Sequence, residues 1–291
     1  MAEVWTIKKL LDWIVSHFTE KKIDSPRLTA ELLLSFVLEM ERIQLYMNFD
    51  QPVQKEQLDK LHNMVDRCLQ NEPVQYLTNR CEFYSLSFKV SPACLIPRPE
   101  TELLVERAIE FLRNRQGRQY VCDLCTGCGC IAAAIAKNFA DAKIIATDIC
   151  DNALSIAAEN IAKYNLDSKV ELLQGNLFEP IINQLDVKEF DLIVCNPPYV
   201  SAAEYENLDE KVKKYEPKLA LDGGEDGLDI YRRIAADAGS HLKKGGALLL
   251  EIGLLQGPAV KKLLEDSNAF SPIKIEKDFN NNDRIITAVR L

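Results

Sequence analysis

The sequence contains no run of about 18 uninterrupted apolar residues, no internal repeat and no low-complexity tract. Spanning a bilayer takes roughly 20 apolar residues, so no membrane-embedded helix is expected. The N-terminal stretch MAEVWTIKKLLDWIV carries acids and lacks the small-residue cleavage site of a secretory signal, which leads us to expect a cytoplasmic protein. Positive charge is scarce. The 35 Lys and Arg residues against 44 Asp and Glu give a net charge of −9, with a pI near 5.1. A phosphate backbone is held by clustered cations, so no direct nucleic-acid binding is expected. Histidine is limited to His17, His62 and His241, all outside the motifs described below.

Cysteine, in contrast, is plentiful. Nine cysteines in 291 residues suggest a disulfide scaffold, but the number is odd, the chain is long and the cytosol keeps thiols reduced. Cys68, Cys81, Cys94, Cys150 and Cys195 read as free thiols acting as small hydrophobes. The length fits one large domain and a smaller one.

The chain changes texture twice. Thr6 caps a predicted helix whose Ile7, Leu10, Leu11, Ile14, Val15 and Phe18 follow the spacing of one buried face. A second helix is predicted to start at Ser25-Pro26, with serine as the cap, and a third over 55–69. The segment PVQYLTNRCEFYSLSFKV then has the aromatic and β-branched character of a hairpin. These features predict a helical N-terminal domain over 1–72, a hairpin linker over 73–95 and a third region over 96–291. In the last, after a predicted helix from Leu103 to Leu112, the apolar runs YVCDLC, KIIATD, KVELLQ, DLIVCN and ALLLEIG alternate with helical stretches. That rhythm implies an α/β fold with a parallel sheet covered by helices on both faces. IKIEKDF and RIITAVRL read as an antiparallel pair at its edge.

Four cysteines fall within VCDLCTGCGC. Cys122, Cys125 and Cys128 have a spacing reminiscent of iron–sulfur ligands, but Cys122 belongs to a predicted strand and Cys130 to a predicted helix, so the sulfurs should not converge on a metal. Strand, Asp123, a CTGCG turn and then a helix describe a nucleotide-type loop. Gly127 and Gly129 admit a ligand close to the backbone, and the helix start offers unpaired N–H groups. The longer G-x-G-x-x-G loop of dinucleotide sites is not present. Asp148 ends the next strand, where an acid can accept from two ribose hydroxyls, although a bare acid at a strand end is more often a helix cap. Asn196-Pro197-Pro198-Tyr199 follows directly on a hydrophobic strand. Its two prolines fix φ and leave carbonyls without competing N–H donors, though such a pair also serves simply to end a strand.

Together PVQYL, LIPRPETELLVE, DLCTGCGCIAAAIA, TDICDNALSIAAENI, FDLIVCNPPYVS, EPKLALDGGEDGLDIYRRI and LLLEIGLLQ resemble, over nearly the whole chain, the HemK-type protein-(glutamine-N5) methyltransferases, members of the class I S-adenosylmethionine-dependent enzymes. The resemblance implies a Rossmann-like sheet and methyl transfer to a glutamine of peptide chain release factors, expected in their GGQ motif, with S-adenosylhomocysteine as the second product. It implies that Cys125, Thr126, Gly127, Cys128 and Gly129 cradle the methionine end of the cofactor and Asp148 its ribose. Asn176 and Leu177 would lie beside the adenine, and Asn196, Pro197, Pro198 and Tyr199 would hold the acceptor glutamine. Arg98, Glu100 and Glu102 would close over the site, with a salt-bridged structural role as the alternative. Cys125 stands where such loops usually have glycine, Asn176 replaces the usual aspartate, and Asn79 occupies a hairpin position often held by glycine. The alternatives are a glutamine methyltransferase of a ribosomal protein, an N6-adenine DNA methyltransferase, which the acidic pI disfavours, and a binding protein that has lost catalysis, which the intact NPPY disfavours.

Overall fold

A computed structural model of the chain describes residues 4–184 and 189–291. They separate into two compact units. One runs up to Arg80 and includes Glu210–Tyr215; the other comprises Cys81–Asp209 and Glu216–Leu291.

In the first unit, helices span Ile7–Glu20, Pro26–Leu38, Arg42–Met47 and Lys55–Leu69, followed by a single turn at Val74–Leu77. The Thr6 side chain accepts from the Lys9 amide at 3.4 Å, in agreement with its predicted capping role. Ile7, Leu11, Ile14 and Phe18 meet Leu33, Leu34, Leu61 and Val65 in one buried cluster. Each such side chain contributes about 1.5–3 kcal/mol when fully removed from water. The second helix does begin at Pro26, but Ser25 has φ of 46° and makes no side-chain capping bond, so proline alone marks the start. The Arg42–Met47 helix was not expected, since six residues are too few to display a period. Val74–Leu77 is helical where the hairpin texture predicted extended chain.

Glu31 is buried within this unit. It accepts from Arg27 Nε at 3.1 Å, from Arg42 Nε at 3.0 Å and from the Tyr46 hydroxyl. Although burial acts against the charge, these donors hold its carboxyl below the usual range. The distant segment Glu210–Tyr215 joins the same unit, with the Tyr215 hydroxyl donating to the Gln70 carbonyl at 2.9 Å.

The expected hairpin consists of β1 (Arg80–Phe83) and β2 (Leu86–Lys89). Tyr84 and Ser85 connect them with φ of 50° and 58°, as a two-residue I′-type turn requires, but without the Asn-Gly that would announce it. Asn79 also has positive φ, at 50°, which asparagine tolerates.

The main sheet contains β3 (Gln119–Leu124), β4 (Ala142–Asp148), β5 (Val170–Gln174), β6 (Phe190–Cys195), β7 (Leu242–Glu251), β8 (Phe270–Lys277) and β9 (Asp283–Arg290). Their spatial order is β5-β4-β3-β6-β7-β9-β8. β3 to β7 pair in parallel, while β9 runs antiparallel to both β7 and β8, as expected of the last two strands. Every residue of β6 is buried, which explains its unbroken apolar run. From β3 the chain builds outward through β4 and β5, then returns to place β6 on the other side of β3. This reversal opens a crevice beyond the carboxyl ends of β3 and β6, where open α/β sheets bind ligands.

Candidate active site

Both sequence motifs emerge into that crevice: CTGCG follows β3 and NPPY follows β6. A cavity of about 260 Å³ lies there, and its wall includes Arg98, Thr101, Cys125, Thr126, Gly127, Cys128, Asp148, Asn176, Leu177, Asn196 and Pro198.

The cofactor-type loop is held by backbone and by acids. Gly127 has φ of 57°, and a Cβ built on it would meet nothing within 4 Å, so its backbone borders open space. The Asp148 carboxylate accepts from the Gly127 amide at 2.8 Å and from the Cys150 amide at 2.9 Å. It therefore ties down the loop as well as facing the cavity, and burial raises its pKa. Asp123, completely buried, accepts from the Thr126 hydroxyl at 2.6 Å and the Ala132 amide at 3.2 Å. Burial pushes its pKa up to about 7. Asn160 donates to the Cys128 carbonyl at 2.9 Å while its Oδ1 accepts from the Lys89 amide at 2.7 Å, linking the loop to β2.

Cys125 has φ of 56°, in the left-handed region that favours glycine. An L-residue there carries a penalty of roughly 1–2 kcal/mol. Leu177, with φ of 52°, is similarly constrained. Cys122 lies in β3 and Cys130 opens the helix Cys130–Asn138, as expected, and all nine cysteines are free. The sulfurs are less dispersed than their elements suggest, because the Cys128 thiol lies near those of Cys130 and Cys94. Even so, among the described residues no group of three or more His, Cys, Asp and Glu side chains is arranged to hold a metal.

On the other side of the cavity, Asn196 donates through Nδ2 to Thr101 Oγ1 at 3.2 Å. The Tyr199 carbonyl accepts from Gln256 Nε2 at 2.8 Å, and the Gln256 Oε1 accepts from the Gly253 amide at 3.0 Å. Gly223 fits against the Tyr199 backbone, where a Cβ would come within 2.8 Å. Arg98 is fixed by the buried Glu216, whose Oε1 accepts from its Nη2 at 2.5 Å and whose Oε2 accepts from the Ile96 amide at 3.2 Å.

Not every expected residue lines the wall. Gly129 precedes the helix and closely approaches Ala157, to which its Cβ would stand at 3.1 Å. Pro197 is buried, and Tyr199 packs against the sheet's hydrophobic cluster, where burial raises its phenol pKa. Glu100 precedes the helix Thr101–Arg113, and Glu102 accepts from the Tyr84 amide at 2.8 Å, a structural bond outside the cavity. Sequence reading passed over Thr101, Asn160, Glu216 and Gln256, none of which carried a signal, and named Asp123 before the glycine loop without giving it a role.

A parallel sheet reversing at β3 and β6, with a short glycine turn on one strand and NPPY on the next, defines a Rossmann-like class I methyltransferase. Residues 9–78 match the family described as the PrmC N-terminal domain, and residues 100–225 match the methyltransferase small domain. A protein of Geobacter sulfurreducens named release factor glutamine methyltransferase is 40% identical over 98% of this chain and 96% of its own length. One of the same name from Rhodopirellula baltica is 37% identical over 97% of this chain and 96% of that protein. The crystal structure of a methyltransferase from Pyrococcus furiosus shares the fold, with 21% identity, a TM-score of 0.50, and coverage of 78% of this chain and 98% of that one. The chain belongs to the release factor glutamine methyltransferase family.

Proposed function

We propose that this protein transfers a methyl group from S-adenosylmethionine to the side-chain amide nitrogen of a glutamine in peptide chain release factors. The observation that carries this reading is the state of Asn196. With Nδ2 occupied by Thr101, the carboxamide retains Oδ1 as an acceptor at the cavity wall.

The residues present suit the cofactor. Gly127 leaves room along the backbone for the methionine portion, Asp148 offers a carboxylate to the ribose hydroxyls, and Asn176 and Leu177 form a wall suited to adenine. When bound, S-adenosylmethionine supplies an electrophilic methyl group. The task left to the chain is to prepare a poor nucleophile, since the lone pair of an amide nitrogen is delocalised into its carbonyl. Asn196 Oδ1 and the Pro197 carbonyl would each accept one hydrogen of the glutamine NH2, orienting the nitrogen and favouring the positive charge it acquires. A glutamate carboxylate, with no hydrogens to donate, would leave both acceptors unsatisfied and be rejected. Gln256 and Gly223 keep the loop rigid beneath this contact.

The test is incubation with labelled S-adenosylmethionine and, in parallel, release factors, ribosomal protein and DNA, followed by mapping of the label. Label on a release-factor glutamine is expected. Label only on ribosomal protein or DNA would overturn the substrate assignment.

A further inference from the structure

The motifs IPRPETE, NPPY and LLLEIG lie far apart in sequence, yet all three send side chains to the same place. Thr101 comes from the first, Asn196 and Tyr199 from the second, and Glu251 from the carboxyl end of β7 in the third. Glu251 is 1% exposed, and its Oε2 is buried without a hydrogen-bond partner. The Thr101 and Tyr199 hydroxyls lie near this carboxyl and favour its charged form against burial. The Tyr231 hydroxyl donates to the Glu251 backbone carbonyl at 2.8 Å, fixing the strand end from below. An acid held so deeply with an orphan oxygen is costly to keep for packing alone.

We infer that Glu251 is a positioning residue that sets the orientation of the Asn196 carboxamide through Thr101. Hydrogen-bond polarity fixes the orientation. An ionised carboxylate only accepts, so the Thr101 hydroxyl donates its single hydrogen to Glu251. Thr101 Oγ1 is then left with lone pairs alone and can pair only with the NH2 end of Asn196, which is the observed 3.2 Å bond. Oδ1 is thereby turned to the acceptor glutamine. If Glu251 becomes neutral, Thr101 is free to donate to Asn196 instead; the carboxamide then turns over and presents NH2 to the NH2 of the substrate. This inference rests on the proposed glutamine chemistry and adds to it a switch of acceptor polarity.

The charges facing Glu251 are Arg284 on β9 and Glu100 before the Thr101 helix, and Arg98 bears on the neighbouring Tyr199. Burial dominates over the hydroxyls and Arg284 and raises the carboxyl to about 7. Turnover should therefore rise with pH across neutrality as Glu251 ionises.

The experiment compares the full-length parent with Glu251→Gln, Thr101→Val and Thr101→Ser, measuring methylation of intact release factor, S-adenosylmethionine affinity and thermal midpoint from pH 6 to 9. Glu251→Gln and Thr101→Val should each lower kcat at least tenfold, leave cofactor affinity within about twofold, and abolish the rise across neutrality. Thr101→Ser, which keeps the hydroxyl, should retain activity and the rise. The Glu251→Gln/Thr101→Val double variant should be no worse than either single one, because both break the same relay. Parent-like kcat and pH profile in Thr101→Val would overturn the relay even if Glu251→Gln failed to fold. A loss in Glu251→Gln matched by equal losses of cofactor affinity and thermal midpoint would also overturn it, in favour of a packing role. An inactive parent would count against the proposed substrate and is seen before any variant is compared.

Discussion

Two glutamates, one in each unit, expose almost no surface, yet their pKa values move in opposite directions. Glu31 is surrounded by two guanidinium groups and a phenol, and these donors draw its pKa down. Glu251 faces two hydroxyls, keeps one orphan oxygen, and has its pKa raised to about 7. Burial works against the charge in both, but it weighs more heavily on Glu251, while the donors around Glu31 are more numerous and carry charge. A saturated acid acts as a structural pin, whereas an undersupplied one beside a cavity marks a site whose polarity matters to a ligand.

The largest effect that bears on this contrast is expected at the end of the chain that Glu251 governs. Asn196→Ala should lower methyl transfer by at least about a hundredfold, comparable to losing one preorganised partner in a transition state, with cofactor affinity largely retained in calorimetry. Near-parental turnover would mean that the undersupplied acid serves no chemistry.

Next in size is Glu31→Ala. It should cost about 2 kcal/mol of stability in denaturant unfolding, less than a fully buried pair would, because the released arginines are half exposed and can be hydrated. It should leave the kcat of the folded protein unchanged.

A smaller effect, of opposite sign in the two units, is expected in the dependence of stability on pH. Glu31 has a lowered pKa, so its contribution is present above the ordinary value of 4.5 and is lost as pH falls through the folded value. Glu251 has a raised pKa, so its contribution is present below 4.5 and is lost as pH rises through about 7. Glu31→Gln should flatten the acid limb of the unfolding free energy, and Glu251→Gln should flatten the decline toward neutrality. A parallel change in both variants would dissolve the contrast.

The smallest effect is expected from Cys130→Ala, at about 1–2 kcal/mol of stability from lost packing. The cofactor site should survive it.

The sheet and both cavity loops were legible in the sequence because each rests on a local signal. Buried parallel strands write continuous apolar runs, and the turns after β3 and β6 concentrate glycine and proline where the backbone must be special. Glu251 and Thr101 were hidden for the opposite reason. Each looks like an ordinary polar residue beside an apolar run, and its meaning comes from partners about 50 to 150 positions away that only the folded sheet assembles. The Tyr84-Ser85 turn escaped because its positive φ values are imposed by strand pairing without glycine, and Ser25 misled because proline was sufficient to begin the helix. The wall of the cavity was thus readable, but not the hydrogen bonds that orient it.

The placement of Glu210–Tyr215 in the helical unit has a consequence for how the chain can be divided. Between Asp209 and Glu216 the polypeptide leaves the catalytic unit, contributes one short helix to the other, and comes back to Glu216, the residue that clasps Arg98. The units are therefore stitched together by three covalent crossings instead of one. Cutting the chain at the hairpin does not release a finished module, because the remaining piece carries a helix stripped of its own surroundings, one residue from the clasp. A chimera that exchanges the helical unit between relatives would have to carry Glu210–Tyr215 with it, as a graft in two pieces.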